Sequence, residues 1–459
     1  MMPEPTGDDI AARKLALDIL NHLARSDDLL DTVMERFAGD QADLSAEDRR
    51  LANAIVFGVL RRRRLLDQLI KQHAALPPAR ISPEIRNILR IALFQIFYLD
   101  RVPDFASVNT AVEMAKRFVS LKSSRFVNGL LRNTLRNRPA DIQSILPADP
   151  VSALAISQSF PDWLVHRWAN RYGLERTRRL CAAMNEIPPV TVRVNTLKIS
   201  RHELRNTLSG MCEQVFETEY SPAGLSFIGP AAPIDHLPPF QEGFFTVQDE
   251  AAQVVTHLLG PKPNENILDA CAGLGGKTGH IAQLMGDTGR ILAIDKDIEK
   301  LERLTDEMAR LEIRNVSVCR MDLNKPDRPS QDSRFDRVLL DAPCSGLGVI
   351  RRNPDIKWAA RKKELKRFAD RQLRYLDAVS QWVAPSGVLV YAVCTMEPEE
   401  TDRVIEIFLE KHPQFELQTP DQGELGSIQP IFDGSGFFRS LPHIHDMDGF
   451  FAARLKRRS

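Results

Sequence analysis

The feature that most constrains the fold is a regular alternation in the second half of the chain. Short apolar runs that end in turn residues predict strands, and the amphipathic stretches between them predict helices. This order is typical of a doubly wound parallel sheet, which binds ligands beyond the carboxyl ends of its strands. The sequence therefore predicts an α/β Rossmann-like domain over residues 241–459. Its predicted strands are 266–270, 290–295, 316–319, 337–340 and 387–393.

A glycine-rich turn follows the first predicted strand and reads DACAGLGGKT from Asp269 to Thr278. Glycines let a backbone approach a ligand closely. The Walker pattern requires a glycine where Cys271 stands, and the dinucleotide pattern lacks its third glycine, so the turn fits neither motif. We interpret it as a cofactor-binding turn, and a purely structural turn is the alternative.

Three carboxylates stand at the ends of successive predicted strands: Asp295, Asp322 and Asp341. Asp295 is placed to accept the hydroxyl groups of a ribose, as the corresponding acidic residue does in nucleotide-binding sheets. Asp322 is placed to meet an adenine amine. A single carboxylate at a strand end often only caps a helix, but three together indicate a nucleoside cofactor. The combination predicts S-adenosylmethionine.

Two of the six cysteines also close predicted strands, Cys344 in DAPCSG and Cys394 in VCT. A buried cysteine is usually a small inert apolar residue, and that interpretation is kept for Cys181, Cys212 and Cys319. The chain has no CxxC pair, so we expect no metal site and no disulfide scaffold. Two sulfurs beside a cofactor turn instead predict thiol chemistry.

Thiol chemistry has a clear use in methylating the C5 atom of cytosine, which is a poor nucleophile by itself. A thiolate adds to C6, and the resulting enamine attacks the methyl donor through C5. An acidic group near N3 assists this addition, and Asp341 is the candidate. Methyltransferases that act on exocyclic amines typically carry a Pro-Pro-aromatic turn after the fourth strand. The Ala-Pro-Cys turn of this chain favours carbon methylation.

Six phrases, in this order, resemble the Nol1/Nop2/Sun family of RNA cytosine-C5 methyltransferases: VQDEAAQ, DACAGLGGKT, AIDKD, DRVLLDAPCSGLGVIRRNPDIKW, VYAVCTMEPEE and DGFFAARL. The resemblance implies that Cys394 is the nucleophile and that Cys344 assists product release. It also implies that S-adenosylmethionine binds to the turn and to the strand-end carboxylates. The implied cofactor residues are Cys271, Ala272, Gly273, Leu274, Gly275, Gly276, Lys277, Asp295, Asp322 and Asp341.

The chain departs from the family pattern at two places. Gly273 and Leu274 stand where the family usually has Ala-Pro, and the lost proline rigidity is expected to weaken cofactor binding. Asn353 stands where the family often has histidine, so this position does not supply an essential base.

Residues 1–139 are predicted to form an all-helical domain, because apolar residues recur at helical spacing and no strand alternation appears. Ser82-Pro83-Glu84 is typical of a helix start. The phrases LRRRRLLDQLI, SVNTAVEMAKRF and FVNGLLRNTL resemble the antitermination factor NusB, an RNA-binding domain. That resemblance implies that Arg61–Arg64 and nearby basic residues meet RNA phosphates.

Charge is distributed unevenly, although the formal net charge is zero. Residues 1–60 carry a net charge of −6, residues 61–138 carry +11, and the remainder carries −5. A strongly basic stretch is what phosphate binding needs, and solvated arginine-rich helices are the alternative. A second basic run, from Arg351 to Arg367, is predicted to hold phosphates beside the cysteines, with a solvated helix face as its alternative.

Residues 140–240 are predicted to be a linker followed by a small α+β segment that helps to bind RNA. Val190, Val192 and Val194 alternate with polar residues, which is typical of a half-buried strand. Arg193, Asn195 and Lys198 would then read RNA from its polar face. A solvated strand face is an equally good interpretation of the spacing.

The two resemblances together imply a bacterial S-adenosylmethionine-dependent enzyme whose partner is 16S rRNA or a small-subunit assembly intermediate. We expect a cytoplasmic monomer, because no secretory signal is apparent and the longest uncharged apolar run, 387–394, is too short for a membrane span. One alternative is a DNA cytosine-C5 methyltransferase with Cys344 as nucleophile, which Cys394 and the NusB-like region disfavour. The other is a non-catalytic RNA-binding factor, which the paired thiols and the carboxylates disfavour.

Overall fold

The computed structural model describes residues 8–39, 44–74, 77, 80–139, 141–325, 334–420 and 431–459. Within these residues the helices are α1 (Asp8–Arg25), α2 (Leu30–Arg36), α3 (Ala46–His73), α4 (Pro83–Tyr98), α5 (Asp104–Phe118), α6 (Leu121–Arg136), α7 (Pro150–Ser157), α8 (Asp162–Tyr172), α9 (Leu174–Ala183), α10 (Arg201–Ser209), α11 (Pro238–Gln241), α12 (Glu250–Leu259), α13 (Gly276–Leu284), α14 (Ile298–Arg310), α15 (Ile356–Ala359), α16 (Glu364–Ser380), α17 (Asp402–Lys411) and α18 (Pro442–His445).

The strands are β1 (Val190–Val194), β2 (Cys212–Glu217), β3 (Gly224–Pro230), β4 (Phe245–Val247), β5 (Asn266–Ala270), β6 (Arg290–Asp295), β7 (Val316–Arg320), β8 (Phe335–Asp341), β9 (Val383–Val393), β10 (Phe415–Leu417), β11 (Phe438–Arg439) and β12 (Phe451–Arg457). Short 3₁₀ turns cover Ile142–Ile145, Ile234–His236 and Pro398–Glu400. No described helix is both long enough and apolar enough to span a bilayer.

The chain divides into two compact units by its internal contacts. The first unit, called here the helical unit, contains Met1–Glu186 and Arg352–Lys362, and the second, the sheet unit, contains Ile187–Arg351 and Lys363–Ser459. A segment that follows Cys344 along the chain therefore belongs to the helical unit. The boundaries expected at residues 140 and 240 stay predictions, and residue 140 itself lies outside the described part of the chain.

The helical unit confirms the predicted all-α architecture. Its helices bury the apolar stripes that the sequence places at helical spacing, because each stripe covers one face of an amphipathic helix. Ser82 caps α4 by accepting a hydrogen bond from the backbone N–H of Ile85, and Pro83 begins the helix, as expected. Completely buried core side chains of this unit include Ile19, Ile55, Leu66, Leu93 and Leu131.

The segment Arg352–Lys362 is anchored in the helical unit by a buried lysine. The Lys357 ammonium is fully buried and lies 2.5 Å from Asn185 Oδ1. It also donates to the backbone carbonyls of Arg61 at 3.3 Å and Ser159 at 3.5 Å, and it sits 3.8 Å from the centre of the Phe160 ring. Lys357 therefore cannot be one of the phosphate ligands expected from the second basic run.

The smaller sheet of the sheet unit is antiparallel, in the order β2-β3-β1-β4. Its apolar side chains form a small core with α10 that includes Val192, Val194, Leu204 and Phe227. Strand β1 appears where the alternation predicts it. The expected small α+β segment is confirmed.

The larger sheet has the order β10-β12-β9-β8-β5-β6-β7, with β11 paired to β12. Strands β5 to β9 pair in parallel with one another and match the five predicted strands. β10, β11 and β12 are antiparallel additions that the prediction lacks. The expected all-parallel sheet is thus a mixed one. The strand order reverses between β5 and β8, so the carboxyl ends of β5, β6, β8 and β9 surround one crevice.

Candidate active site

The glycine-rich turn leaves β5 and enters α13 through three residues with positive φ. These are Cys271 at 62°, Gly273 at 56° and Gly275 at 83°. A Cβ atom on Gly275 would lie 2.6 Å from Leu304 Cγ, so glycine is needed there, whereas Gly273 faces open space. The backbone at Gly273 is therefore accessible to a ligand.

A buried arginine on β1 stabilises this turn by hydrogen bonds. Arg193 on β1 is completely buried, and its Nη1 atom donates to the backbone carbonyl of Gly276 at 2.5 Å. Its Nε atom donates to Gln283 Oε1 at 2.7 Å, and Nη1 also contacts Gln248. Burial lowers the pKa of Arg193 to about 9. Arg193 thus holds the glycine-rich turn in place, and the expectation that it reads RNA is wrong.

The two other residues predicted to read RNA from this strand are also engaged within the protein. Asn195 is completely buried and donates to the backbone carbonyls of Gly243 and Leu311 at 2.9 and 3.0 Å. Lys198 forms an ion pair with Glu312 at 2.7 Å. The face carrying Arg193 and Asn195 is polar because it packs against polar groups of α13 and of neighbouring loops. The alternative of a solvated strand face is therefore also wrong for these two residues.

Asp295 closes β6 beside the turn. Its Oδ2 atom accepts the backbone N–H of Gly273 at 3.0 Å, and its Oδ1 atom accepts that of Asp297 at 3.0 Å. Each carboxylate oxygen has a second lone pair. The pair of oxygens can therefore also accept the two hydroxyl groups of a ribose.

Asp322 is less clearly part of the site. Its side chain is exposed and accepts the backbone N–H of Asn324 at 2.9 Å, and this hydrogen bond lowers the pKa of its carboxyl group. Its neighbours Met321 and Leu323 line the crevice. The predicted contact between Asp322 and adenine stays a prediction.

A lysine and two carboxylates form a charged group behind the turn. Lys277 Nζ lies 2.5 Å from Asp341 Oδ2. Burial opposes the charge on Lys277, but the Asp341 carboxylate outweighs it and the pKa of Lys277 is raised. Asp269 is buried and accepts the Thr278 hydroxyl at 2.6 Å, and burial raises the pKa of Asp269 to about 7. The side chain of Asp341 therefore faces a cation.

The two strand-end cysteines meet in the crevice, with their Sγ atoms 3.2 Å apart. The hydrogen bond with Cys394, together with burial, raises the pKa of the Cys344 thiol. This keeps the proton on Cys344, so that its S–H can donate to the Cys394 sulfur. Cys271 also lines the crevice, but burial and nearby carboxylates raise the pKa of its thiol, which suits an inert role.

Glu400 joins the two loops that carry these sulfurs, a role that the sequence analysis missed. Its Oε2 atom accepts the backbone N–H of Ser345 at 2.9 Å and the Gln372 side chain at 3.0 Å. Its Oε1 atom lies 3.4 Å from the Thr395 hydroxyl, which itself contacts the Ser345 hydroxyl at 3.0 Å. Burial raises the pKa of Glu400. Its place within the phrase VCTMEPEE was the signal available in the sequence.

Two further residues of the loop after Cys344, Gly348 and Arg351, also hold it in place. The backbone N–H of Gly348 donates to the Cys394 carbonyl at 3.0 Å. Arg351 Nε donates to Asp448 at 2.7 Å, and its Nη2 atom lies 3.5 Å from Asp249. Because Arg351 is buried among these carboxylates, its expected role as a phosphate ligand is wrong.

The crevice is a cavity of about 400 Å³, within the usual range for small-molecule sites. Six predicted site residues line it: Cys271, Gly273, Asp295, Asp341, Cys344 and Cys394. Its size, the accessible backbone of the turn and the free lone pairs of Asp295 fit a nucleoside such as that of S-adenosylmethionine. Other described lining residues are Ile294, Lys296, Lys300, Met321, Leu323, Ala342, Pro343, Arg371 and Tyr375. The remaining predicted turn residues contribute backbone shape or, for Lys277, contact Asp341.

The arginine run expected to bind RNA in the helical unit is largely used internally. Arg61 is buried, and burial lowers its pKa to about 10. Arg62 lies 5.3 Å from the centre of the Tyr98 ring. Arg64 forms an ion pair with Asp162 at 2.6 Å. The charge of this run therefore overstates the positive surface that it offers to a phosphate.

Comparison of the sequence with known families gives three matches in chain order. Residues 10–136 match the NusB family. Residues 160–234 match the ferredoxin-like domain of RsmF/B-like methyltransferases. Residues 256–456 match the family described as 16S rRNA methyltransferase RsmB/F.

Similar curated proteins align along almost the whole chain. The probable ribosomal RNA small subunit methyltransferase B of Synechocystis is 39% identical and covers 98% of this chain and 100% of its own length. The protein of the same description from Bacillus subtilis is 34% identical and covers 98% and 99%.

Two solved structures share the fold. The crystal structure of PH0851 has a TM-score of 0.81 at 27% identity and covers 100% of this chain and 99% of its own. NSun6 from Pyrococcus horikoshii, solved with the S-adenosylmethionine analogue SFG, has a TM-score of 0.57 at 26% identity and covers 66% and 99%.

Proposed function

Because the chain belongs to the RsmB/F family of 16S rRNA methyltransferases, which use S-adenosylmethionine, we propose that it methylates C5 of one cytosine in 16S rRNA. The observation that carries this proposal is the pair of sulfurs 3.2 Å apart in the nucleoside-sized crevice. Methylation of an exocyclic amine or a ribose needs no such pair. A carbon that must first be activated by covalent addition needs a nucleophilic thiol, and a second thiol beside it can assist release of the product.

S-adenosylmethionine, when bound, would supply an electrophilic methyl group and keep the electron pair of the broken sulfur–methyl bond as it becomes S-adenosylhomocysteine. In our proposal its ribose is held by Asp295, and the rest of the nucleoside lies along the turn Cys271–Lys277 and towards Asp322. Arg193 and Gly275 keep the turn in the conformation that admits it. The negative side chain of Asp341 is oriented by Lys277.

The reaction begins at Cys394, whose thiolate adds to C6 of the cytosine. The electrons of the C5–C6 double bond form an enamine as N3 takes up a proton, and Asp341 is the proposed donor, drawing the proton from Lys277 across their hydrogen bond. C5 then forms its bond to the transferred methyl group and N3 gives its proton back. These steps convert a poor carbon nucleophile into an effective one.

Release requires a base to take the C5 proton, so that the C5–C6 double bond re-forms and the Cys394 sulfur leaves as a thiolate. Cys344 has its proton and lies within hydrogen-bond distance of that sulfur. It can therefore donate to the departing thiolate and lower the barrier to its departure. We assign Cys344 to release and Cys394 to attack.

The test compares the alanine variants of the two cysteines on rRNA containing 5-fluorocytidine and on natural rRNA. Cys394→Ala should lose both covalent capture and methylation. Cys344→Ala should form the adduct with natural rRNA and release it slowly. Full turnover by Cys394→Ala, with capture abolished in Cys344→Ala, would reverse the roles and favour the Pro-Cys nucleophile used by DNA enzymes.

Bisulfite sequencing of rRNA from a deletion strain and its complemented parent identifies the target. We expect one cytosine of 16S rRNA to lose its methylation in the deletion strain and regain it on complementation. If no cytosine changes, the proposed reaction is wrong. Absence of S-adenosylmethionine binding in calorimetry would favour a non-catalytic RNA-binding factor instead.

A further inference from the structure

Helix α16 presents three arginines on one face. Arg367, Arg371 and Arg374 are spaced by four and three residues, which places them side by side on a helix. With Phe368 and Asn324 they line a groove of about 400 Å³, called here the arginine groove. The groove is separate from the crevice described above, but Arg371 lines both.

Arg371 connects the arginine groove to the reacting sulfurs. Its Nη2 atom donates to the backbone carbonyl of Pro343 at 3.3 Å, next to Cys344 in the chain. Its guanidinium carbon lies 5.0 Å from the centre of the Phe368 ring, which helps to orient the side chain. The arginine groove therefore begins at the rim of the crevice in which a target base would react.

Among the described residues, few acidic groups oppose the charge in the arginine groove. Arg367 and Arg374 are exposed, and no ion pair between described residues involves either of them. Glu364 is the only carboxylate among the described residues that line the groove, against three guanidinium groups. Arg351 and Lys357, two members of the basic run Arg351–Arg367, are buried among partners of their own. Arg367, the last member of that run, is exposed in the arginine groove, next to two arginines that follow it on α16.

We propose that the arginine groove binds backbone phosphates of the substrate RNA immediately beside the target nucleotide. Guanidinium groups form paired hydrogen bonds to phosphate oxygens, and a positively charged groove is how proteins follow a single strand. A base that enters the crevice draws its flanking phosphates to the rim, where Arg371 and then Arg367 and Arg374 would meet them. This inference rests on the proposed function for the identity of the RNA.

The test measures binding of a 16S rRNA transcript to the full-length protein over a series of salt concentrations. Arg367→Gln and Arg374→Gln should each lower the slope of log affinity against log salt by about 0.7, the value for one phosphate contact to a single strand. The double variant should lose about twice that, and binding should weaken to a similar degree for unrelated RNA sequences. In turnover assays the KM for RNA should rise, while kcat and the affinity for S-adenosylmethionine stay within twofold.

Lys366→Gln is the matched control, because Lys366 is an exposed cation of the same helix that lines a different groove with Asp370 and Arg403. It should leave the salt slope unchanged. The proposal is overturned if the arginine variants keep the wild-type slope or lose no more of it than Lys366→Gln. The salt dependence of RNA binding is measured without turnover. If the wild-type protein methylates no cytosine, the proposed function is wrong, but the slopes of the variants still test whether the arginine groove binds phosphates.

Discussion

Glu400 holds together the two loops that carry Cys344 and Cys394. We expect Glu400→Gln to lower kcat roughly 10- to 100-fold, because an amide group cannot accept the Ser345 N–H, the Gln372 amide and the Thr395 hydroxyl together. This range corresponds to about 1.4–2.8 kcal/mol, the scale of a lost hydrogen bond to a charged group. Steady-state methylation of rRNA measures kcat, and calorimetry should show unchanged binding of S-adenosylmethionine.

Glu406→Gln is a suitable control, because Glu406 is exposed on α17. It should behave as the wild type in both measurements. Equal kcat values for Glu400→Gln and Glu406→Gln would show that the carboxylate does not position the cysteine loops.

Asp269 gives the stability of the sheet unit a pH dependence. Burial raises its pKa from 3.8 to about 7, so the folded protein retains a proton that the unfolded chain releases between these values. This contribution to stability is complete below about pH 4 and is lost as pH rises through 7, with a slope of at most about 1.4 kcal/mol per pH unit. Urea unfolding at a series of pH values should show this slope diminished in Asp269→Asn.

The exposed residue Asp306 on α14 provides the comparison for this effect. Asp306→Asn should keep the wild-type slope, because it removes a carboxyl group at an exposed position and leaves the buried Asp269 in place. A slope in Asp269→Asn that equals the slope in Asp306→Asn would contradict the prediction.

The sequence predicts the site residues that carry local signals, and it misses those that depend on distant partners. The crevice contains Asp295, Cys344 and Cys394 because each stands at a strand end that is visible in the sequence. The sequence predicted Arg193 to be an RNA ligand, because nothing in β1 indicates that its side chain donates to the Gly276 carbonyl. The spacing of residues in the sequence does not reveal contacts between positions more than 80 residues apart. Without such information, a polar residue on a strand is predicted to face solvent or a ligand.

At the scale of elements, the segment Arg352–Lys362 stabilises the helical unit. We expect Lys357→Met to lower the free energy of unfolding of this unit by about 1–3 kcal/mol, the cost of leaving buried acceptors without a donor. Methionine keeps the apolar stem, so the loss isolates the ammonium group and its contacts with Asn185 and the Arg61 and Ser159 carbonyls. Urea unfolding monitored by helical circular dichroism measures the change.

Lys362→Met removes a lysine from the same segment at an exposed position. It should shift the transition by less than about 0.5 kcal/mol, as surface substitutions usually do. If both variants unfold alike, the contacts of Lys357 contribute no net stability.

The strands of the larger sheet were predictable only where they form alternating strand–helix units. β5 to β9 follow that alternation, and the apolar runs of β5, β8 and β9 are largely buried, which gives a strong local signal. β10 and β11 contain three and two residues, too few for a period to be recognised. β12 carries Arg454 between apolar residues and ends in Lys456 and Arg457. It pairs with β9 in the antiparallel direction, which depends on where the chain returns.

At the scale of the whole molecule, charge alone gave an incomplete view of RNA binding. The stretch 61–138 has a net charge of +11, but Arg61, Arg64 and Arg90 are buried or paired with carboxylates. In contrast, α6 exposes Lys122, Arg125, Arg132 and Arg136 at positions that recur on one face. Net charge counts buried or paired cations and exposed cations equally. Only the structure shows which cations are exposed and can contact phosphates.

The division of the chain into units leads to a last prediction, because the helical unit is incomplete without the segment Arg352–Lys362. Trp358 Nε1 donates to the Leu60 carbonyl at 2.8 Å, and Asp355 Oδ2 accepts the Leu30 N–H at 2.9 Å. A fragment of residues 1–186 lacks these partners. We expect the peptide of residues 352–362 to raise the Tm of that fragment by about 5–10 °C at a hundredfold excess over its Kd, equivalent to about 2.7 kcal/mol.

Differential scanning fluorimetry with increasing peptide measures this shift, and a peptide in which Lys357→Met and Trp358→Ala are combined is the control. The control peptide should have little effect, because it keeps the length of the segment but loses the buried ammonium group and the indole donor. A fragment whose Tm responds to neither peptide would show that these hydrogen bonds follow from chain connectivity and add no stability. A response to the native peptide alone would mean that the helical unit is completed by residues located between Cys344 and Cys394 in the sequence. Truncation after residue 186 would then remove part of the unit's own packing.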